Sequence, residues 1–197
     1  MGRKKVYDET LRLRLLDRAG ELLTEGGSDA LSLRDLAKSA GTSTSAVYSL
    51  FGGKSDLLRA LYIEGFRRLS WRLRSVDPAP GPVEHLVQLA HAYRASALAD
   101  PNYYRATFSR HHDEKDEDFI RAGASAFEPL LETVQRGIKT GSLVEEDPMA
   151  VASALWALVH GLVTLELSDL LLRQDTESFD YAVRAALRGW QADIASR

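Results

Sequence analysis

The chain has 197 residues, a formal net charge of −3 and no cysteine, which excludes disulfides, thiolate metal sites and a cysteine nucleophile. Its 45% hydrophobic and 27% charged residues are typical of a folded globular protein rather than a disordered one. The charged N-terminus contains no apolar segment that would act as a signal peptide, and polar residues interrupt the longest apolar run, residues 149–165. We therefore expect a cytoplasmic protein without a membrane-spanning helix.

Charge is unevenly distributed along the chain. Residues 1–60 carry ten Lys or Arg and eight Asp or Glu, a net charge of +2, whereas residues 61–197 carry fifteen and twenty, a net charge of −5. An anionic partner is therefore expected to bind the N-terminal part. The asymmetry is mild, and a protein with no such partner would also show it.

Helical periodicity dominates the sequence, and strand alternation is absent, so the predicted fold is all-α with about nine helices. A first helix begins near Leu11 and ends at Gly26 and Gly27, because glycine supplies the positive φ of a helix C-terminus. Ser32 and Ser43 are the predicted N-caps of two short helices. Further helices are predicted over about residues 54–75, 83–99, 117–139, 148–172 and 177–195, with another that starts at Asp100-Pro101.

The second short helix has two chemically distinct faces. Its period places Val47, Leu50 and Phe51 inward, and the outward positions are Thr44, Ser45, Tyr48 and Ser49. Hydroxyl groups on a helix with short outward side chains can approach phosphate oxygens and base edges. Lys54 adds a positive charge to the N-terminus of the next helix, where anions bind. Composition alone leaves two interpretations open: a helix-turn-helix that binds DNA, and an ordinary solvated corner.

The stretch from about Leu15 to Leu61 resembles the DNA-binding domain of the TetR family. The segments that carry the resemblance are LLDRAGELLTEGG, LSLRDLAKSAGTS and AVYSLFGGKSDLLRAL. The resemblance implies a three-helix helix-turn-helix domain over residues 1–54 and a larger helical ligand-binding and dimerisation domain over residues 55–197. It also implies a homodimeric, ligand-responsive repressor that binds a palindromic double-stranded DNA operator, has no enzymatic activity and needs no cofactor.

The resemblance also implies roles for individual residues. The phosphate contacts match Ser32, Ser43, Tyr48 and Lys54, and the positions that face the major groove match Thr44, Ser45 and Ser49. Arg34 stands where some members carry an arginine that reaches a guanine. Thr42 replaces a usual valine, and Leu50 replaces a usual His or Tyr, so one DNA contact is missing. Base preference should therefore depend on Arg34, on DNA shape and on dimer spacing. The N-terminal Arg3-Lys4-Lys5 is either an arm for the minor groove or a solvated tail.

The segment ALWALVHGLVTLEL, residues 154–167, resembles the regulatory domain of a TetR subgroup with a Trp…His-Gly pattern. Here the pattern is Trp156, His160 and Gly161. Trp156 and His160 share one helix face, which suits either a ligand pocket or a hydrogen-bonded core histidine. The predicted pocket for a small apolar or aromatic effector contains Tyr62, Phe66, Tyr93, Tyr104, Phe108, Phe127, Trp156 and His160. These side chains would also suit a filled core.

The last two helices are more apolar than one protomer is expected to bury. In the TetR family such helices pair across a two-fold axis as a four-helix bundle. The predicted dimer interface contains Leu158, Leu162, Leu165, Val183, Leu187 and Trp190. A dimer is also what a helix-turn-helix regulator needs to present two recognition helices one turn of DNA apart.

Two other functions remain open. One is a small-molecule-binding helical protein without a specific DNA function. The other, weaker one is a metal-dependent enzyme that uses His111 and His112, which precede an acidic run. Adjacent histidines on a helix point about 100° apart and lack the i, i+4 spacing of a zinc helix, so a solvated acidic loop is favoured. No catalytic or metal-binding residue is predicted.

Overall fold

The computed structural model describes residues 9–78, 81–108 and 117–192. Arg3-Lys4-Lys5, His111 and His112 lie outside these ranges. Nine α-helices and no named strand are present in the described ranges, so the predicted all-α fold is confirmed. The helices are α1 Glu9–Ala30, α2 Leu33–Ser39, α3 Thr44–Phe51, α4 Lys54–Arg74, α5 Pro82–Ala99, α6 Pro101–Thr107, α7 Glu117–Lys139, α8 Pro148–Leu167 and α9 Thr176–Arg188.

The helices pack as two units. Unit 1 takes in the described residues of Met1–Phe66 and Asp100–Ala122, and unit 2 takes in those of Arg67–Ala99 and Gly123–Arg197. Helix α6 therefore packs with the N-terminal helices, and α4 and α7 each contribute to both units. The predicted functional boundary after residue 54 does not follow this division, and it stays a prediction.

Unit 1 is held together by an apolar core to which every described helix of the unit except the short α7 segment contributes buried residues. Its fully buried leucines and valine include Leu15, Leu16, Leu36, Val47, Leu57 and Leu61. Helix α6 is joined to α1 by the Tyr103 hydroxyl, which donates to Asp17 Oδ1 over 2.9 Å. A Cβ on Gly65 of α4 would lie 1.9 Å from Thr107 Oγ1, so α4 and α6 approach each other closely only because residue 65 has no side chain.

Unit 2 contains a buried ion pair between α5 and α8. Arg94 Nε donates to Glu166 Oε2 over 2.7 Å, and the two side chains are only 13% and 9% exposed. Arg94 also donates to the Gln174 carbonyl oxygen over 3.2 Å and to Thr176 Oγ1 over 3.3 Å. A paired and hydrogen-bonded charge is the form in which a buried arginine is tolerated, and here the pair also fixes the connection between α8 and α9.

Helix α8 ends at Leu167 rather than at the predicted Leu172. The Leu170 N–H donates to the Leu165 carbonyl oxygen over 2.9 Å, and the Asp169 N–H donates to that of Glu166 over 3.1 Å. These two bonds form a Schellman motif, in which Asp169 takes the left-handed conformation with φ 54°. The apolar residues that continue the sequence pattern beyond Leu167 are therefore in the connector.

The end of the chain also differs from the predicted helix over 177–195. Helix α9 ends at Arg188, and Trp190 follows it. The Val144 N–H donates to the Trp190 carbonyl oxygen over 2.8 Å, next to an isolated antiparallel bridge between Leu143 and Gln191. Trp190 is consequently not on the face of the last helix.

Among the described residues, α8 is the one helix that is long and apolar enough to cross a membrane, by length and composition only. On those two criteria the sequence-based exclusion of a spanning helix does not hold. In the fold, one side of α8 packs against α5 and α9, and Glu166 on the buried side binds Arg94. The other side of α8 has exposed apolar residues.

Candidate nucleic-acid interface

The predicted DNA-binding residues lie in residues 31–56, here called the corner, which comprise the capped helices α2 and α3, the tight turn between them and the start of α4. Ser32 Oγ accepts from the Asp35 N–H over 3.4 Å at the start of α2. Ser43 Oγ accepts from the Ala46 N–H over 3.2 Å at the start of α3. Both predicted N-caps are confirmed. A capping oxygen of this kind stabilises a helix by about 1 kcal/mol, so these serines fix where each helix begins.

The turn between α2 and α3 is set by Gly41. Its φ is 66°, and its N–H donates to the Lys38 carbonyl oxygen over 3.2 Å while the Thr42 N–H donates to that of Ala37 over 2.9 Å. This is again a Schellman motif. A Cβ on Gly41 would meet nothing within 4 Å, so the requirement for glycine comes from the backbone conformation and not from lack of space.

The two faces of α3 divide as the sequence predicts. Val47 is fully buried and Phe51 is nearly so, and Ala46 is a third buried residue. Leu50 is partly buried against this core. The opposite face exposes Ser45, Tyr48 and Ser49, while Thr44 is half-buried. Tyr48 is 54% exposed, so its phenol is available to a partner outside the chain.

One of the outward hydroxyls is already engaged. Ser45 Oγ lies 2.9 Å from Ser43 Oγ, within hydrogen-bonding distance. Ser43 Oγ also accepts the capping bond from Ala46. A hydroxyl has one proton and two lone pairs, so Ser45 has less capacity left for an external acceptor or donor than Thr44 or Ser49.

Three cations lie on the helices of this corner. Arg34 and Lys38 are exposed on α2, and Lys54 is the first residue of α4. Within the described residues none of the three makes an ion pair, so their charges are available to an anion. Lys38 lies outside the residues that the sequence predicts to contact DNA, but its i, i+4 spacing from Arg34 puts both on one side of α2.

The start of α4 has the geometry of an anion site. Gly52 has φ 81°, and the Leu57 N–H makes the first bond of the helix, to the Gly53 carbonyl oxygen over 3.0 Å. The N–H groups before Leu57 therefore have no partner within the helix. Lys54 stands beside them, which combines a full positive charge with the positive end of the helix dipole.

The predicted pocket residues fall into two groups. Tyr62, Phe66, Tyr104 and Phe108 belong to unit 1, and Tyr93, Phe127, Trp156 and His160 belong to unit 2. In unit 1, the Phe66 ring centroid lies 5.7 Å from that of Phe108 and 5.4 Å from that of Phe119, and Tyr104 lies 5.0 Å from Phe108. Phe119 thus packs with the predicted pocket residues of unit 1.

In unit 2, a chain of rings links α7, α8 and α5. The Phe127 and Trp156 centroids are 6.2 Å apart, and those of Trp156 and His160 are 5.7 Å apart. The Tyr93 hydroxyl lies 2.9 Å from His160 Nδ1. Burial lowers the pKa of His160 below its usual value. His160 thus makes the hydrogen bond expected of a core histidine while remaining next to the exposed Trp156.

The predicted dimer residues differ in exposure. Val183 and Leu187 are each only 1% exposed and pack inside the chain. Leu165 is 41% exposed, and Leu158 and Leu162 are half-buried. Around them α8 exposes small residues, Ser153, Ala154, Ala157 and Thr164. The apolar surface left for a partner is therefore on α8.

No cluster of three or more metal-ligating side chains exists in the part of the chain that the structure describes. The adjacent His111 and His112, on which the metal-enzyme alternative depends, lie outside that part.

Two family models match the chain. The model described as bacterial regulatory proteins, tetR family, matches residues 15–61, which spans α2, α3 and parts of α1 and α4. The model described as the tetracyclin repressor-like C-terminal domain matches residues 86–186. The chain is also 25% identical over 178 residues to YobS, a helix-turn-helix-type transcriptional regulator of Bacillus subtilis strain 168, which covers 89% of this chain and 90% of that protein.

Solved structures share the whole fold. A protein of unknown function from Rhodococcus sp. RHA1 is 28% identical with a TM-score of 0.81, covering 96% of this chain and 100% of that one. The transcriptional regulator PfmR from Thermus thermophilus is 22% identical with a TM-score of 0.73, covering 89% and 97%. The second likeness bears on the fold alone.

Proposed function

The chain belongs to the TetR family of DNA-binding transcriptional regulators, and we propose that it is a repressor released from its operator by a small apolar or aromatic molecule. The family consists of non-enzymatic DNA-binding proteins that usually act as dimers. One observation supports DNA binding at this corner most directly. The capped helices α2 and α3 lie beside three cations that make no ion pair within the described residues.

In the proposed complex, the corner binds the DNA backbone. Tyr48 and Lys54 bind phosphate groups, as do the hydroxyls of Ser32 and Ser43. Ser32 accepts a capping bond on its oxygen, which leaves its hydroxyl proton to donate to a phosphate. Ser43 also accepts a capping bond, and in this proposal Ser45 donates to Ser43 within their 2.9 Å contact, so Ser43 keeps its proton for a phosphate. Contacts of this kind fix the position of the protein but carry no base preference.

Base preference is assigned to fewer side chains. Arg34 offers the one bidentate donor on α2, and such a contact with guanine discriminates by about 1–3 kcal/mol. Thr44 and Ser49 face the major groove in this proposal, and Ser45 contributes less because its hydroxyl is engaged by Ser43. The remainder of the specificity then comes from DNA shape and half-site spacing.

We assign the dimer interface to the exposed side of α8. A Cβ on Gly161 would meet nothing within 4 Å in this chain, so packing inside the protomer does not require glycine there. Together with the exposed Ala154 and Ala157, Gly161 would let a second α8 approach closely. A symmetric dimer presents two α3 helices, and its operator would be palindromic.

The effector is assigned to the predicted pocket residues that lie together in unit 2, Tyr93, Phe127, Trp156 and His160. Their apolar rings, with the Tyr93–His160 hydrogen bond as a polar group, suit an uncharged apolar or aromatic molecule better than a phosphorylated one. Binding would favour an arrangement in which the two α3 helices no longer match the half-sites. DNA must then weaken effector binding by the same factor. This repression would take place in the cytoplasm.

The test compares variants on DNA. Fluorescence anisotropy with the duplex upstream of the gene and with base-substituted versions should show that Tyr48→Phe and Lys54→Ala weaken binding by similar factors on all duplexes. Arg34→Ala should instead reduce the difference between matched and substituted duplexes. Lys139→Ala, which removes an exposed lysine of α7 in unit 2, is the matched control and should change nothing. Uniform loss for Arg34→Ala would refute its role in base preference.

A further inference from the structure

A carboxylate lies in the first turn of α4, within the surface that we propose binds phosphate. Asp56 is exposed and stands two residues after Lys54. Its Oδ2 lies 3.0 Å from the position that a Cβ on Gly52 would take and 4.0 Å from that position on Gly53. The side chain is therefore folded back over the glycine turn that leads into α4 instead of pointing away from it.

This position places a negative charge where the helix attracts anions. The first-turn N–H groups and the helix dipole favour a carboxylate as well as a phosphate. Within the described residues Asp56 makes no ion pair, so no neighbouring cation neutralises it. The corner from residue 31 to residue 56 carries the cations Arg34, Lys38 and Lys54 against the acids Asp35 and Asp56, a surplus of a single positive charge.

We propose that Asp56 sets the DNA affinity of this protein by competing with phosphate at the start of α4. The carboxylate stabilises the free protein through the helix dipole, and it repels the phosphate that Lys54 and the N–H groups would bind. The repulsion acts on the sugar–phosphate backbone, so it lowers affinity for all sequences alike and does not change base preference. This inference rests on the proposed function, because it concerns the same surface.

The two effects of Asp56 have opposite signs, and this separates an affinity-setting role from a structural one. Removing the charge should lower the thermal stability of the free protein, since a favourable charge–dipole interaction is lost. The same change should tighten DNA binding. A residue that only supports the helix would weaken both.

The experiment uses the full chain and a fluorescein-labelled duplex of mixed sequence, about two turns of DNA long, alongside the duplex upstream of the gene. Asp56→Asn should bind both duplexes about 3- to 10-fold more tightly at low salt, about 50 mM NaCl, the scale expected for one nearby like charge. The ratio of the variant's affinity to that of the wild type should be smaller at about 300 mM NaCl, because salt screens the repulsion. The Tm should fall by about 1–4 °C.

Glu145→Gln is the matched control. Glu145 is an exposed acid in unit 2, and its removal makes the same change in net charge, so it should leave affinity unchanged. Asp56→Ser, which also removes the charge and keeps a short polar side chain, replaces Asp56→Asn if that variant does not fold. Equal or weaker DNA binding by a folded Asp56 variant would overturn the inference. Failure of the wild-type protein to bind either duplex would instead refute the proposed function.

Discussion

Gly161 on α8 offers a direct test of the proposed dimer, because no contact of its Cβ position within the protomer requires glycine there. A Cβ there would have no neighbour within 4 Å, so a side chain can begin at residue 161 without a clash at its first atom. Glycine inside a helix costs about 1 kcal/mol relative to a good helix former. Gly161→Leu should therefore leave the protomer folded and slightly more stable.

The dimer should respond in the opposite direction. Small residues allow two helices to approach closely, and a leucine inserted into such a contact costs about 1–3 kcal/mol through overpacking. A two-fold dimer contains the substitution twice, so dimerisation should weaken by at least about 2 kcal/mol, roughly thirtyfold in Kd. Operator binding should weaken with it, because a monomer presents only one α3.

Sedimentation equilibrium over a range of protein concentrations measures this change, with circular dichroism as the test of folding. Gly161→Ala is the matched control: it gives the same gain in helix propensity with far less added volume, and it should retain the dimer. The reasoning would be refuted if Gly161→Leu formed a dimer as tight as that of the wild type. In that case the exposed side of α8 is not the interface.

Two further predictions concern stability. Asp169→Gly should stabilise the protein by about 0.5–1 kcal/mol in urea unfolding, because Asp169 has φ 54° in a position that favours glycine. Asp169→Asn is the control and should change stability less, since asparagine also tolerates this conformation. A less stable glycine variant would contradict the prediction. His85 is buried, and its Nδ1 lies 2.9 Å from Arg136 Nη2; burial, together with this guanidinium, lowers its pKa from the ordinary 6.5. As pH falls, residue 85 therefore binds a proton in the unfolded chain before it does so in the folded protein. The stability that neutral His85 contributes is present above about pH 6.5, and it is lost as pH falls from that value through the lowered pKa of the folded protein. Urea midpoints from about pH 8 to about pH 5 should fall less steeply for His85→Gln than for the wild type, and equal slopes would show that His85 does not cause the loss.

The N-terminal corner could be predicted closely because each of its boundaries has a local chemical signal. Ser32 and Ser43 are capping residues whose effect depends on atoms three residues away, and Gly41 supplies a left-handed conformation that few other residues adopt. The faces of α3 follow from helical period alone. The charges of Lys38 and Asp56 are visible in the sequence, but the positions of these side chains within the corner depend on how α2 and α4 are oriented.

The C-terminal helices show where local signals fail. Helix α8 was predicted to reach Leu172 because its apolar pattern continues, whereas the Schellman motif at Asp169 ends it at Leu167. Asp169 occupies a position usually held by glycine, so the signal was missing. An apolar period also cannot distinguish residues that pack inside a protomer from residues that face a partner. Val183 and Leu187 have the period of an interface and are buried in their own chain.

The aromatic residues illustrate a third difficulty. Tyr62 and Trp156 were grouped by composition, yet they belong to different packing units. The unit to which each residue belongs depends on the course of α4 and α7, which the spacing of aromatic residues does not encode. Contacts such as the one between Phe66 and Phe119, 5.4 Å apart, join residues more than fifty positions apart in sequence.

The most direct test of the account is a titration of the wild-type protein against the duplex upstream of its gene, measured by anisotropy from about 50 to about 300 mM NaCl. We expect saturation at two protomers per duplex and a linear fall of log K with log salt concentration, since Lys54 and the other cations of the corner displace counterions from phosphate. No binding at the lowest salt concentration, or binding that does not change with salt, would contradict the claim that the α2–α3 corner binds DNA.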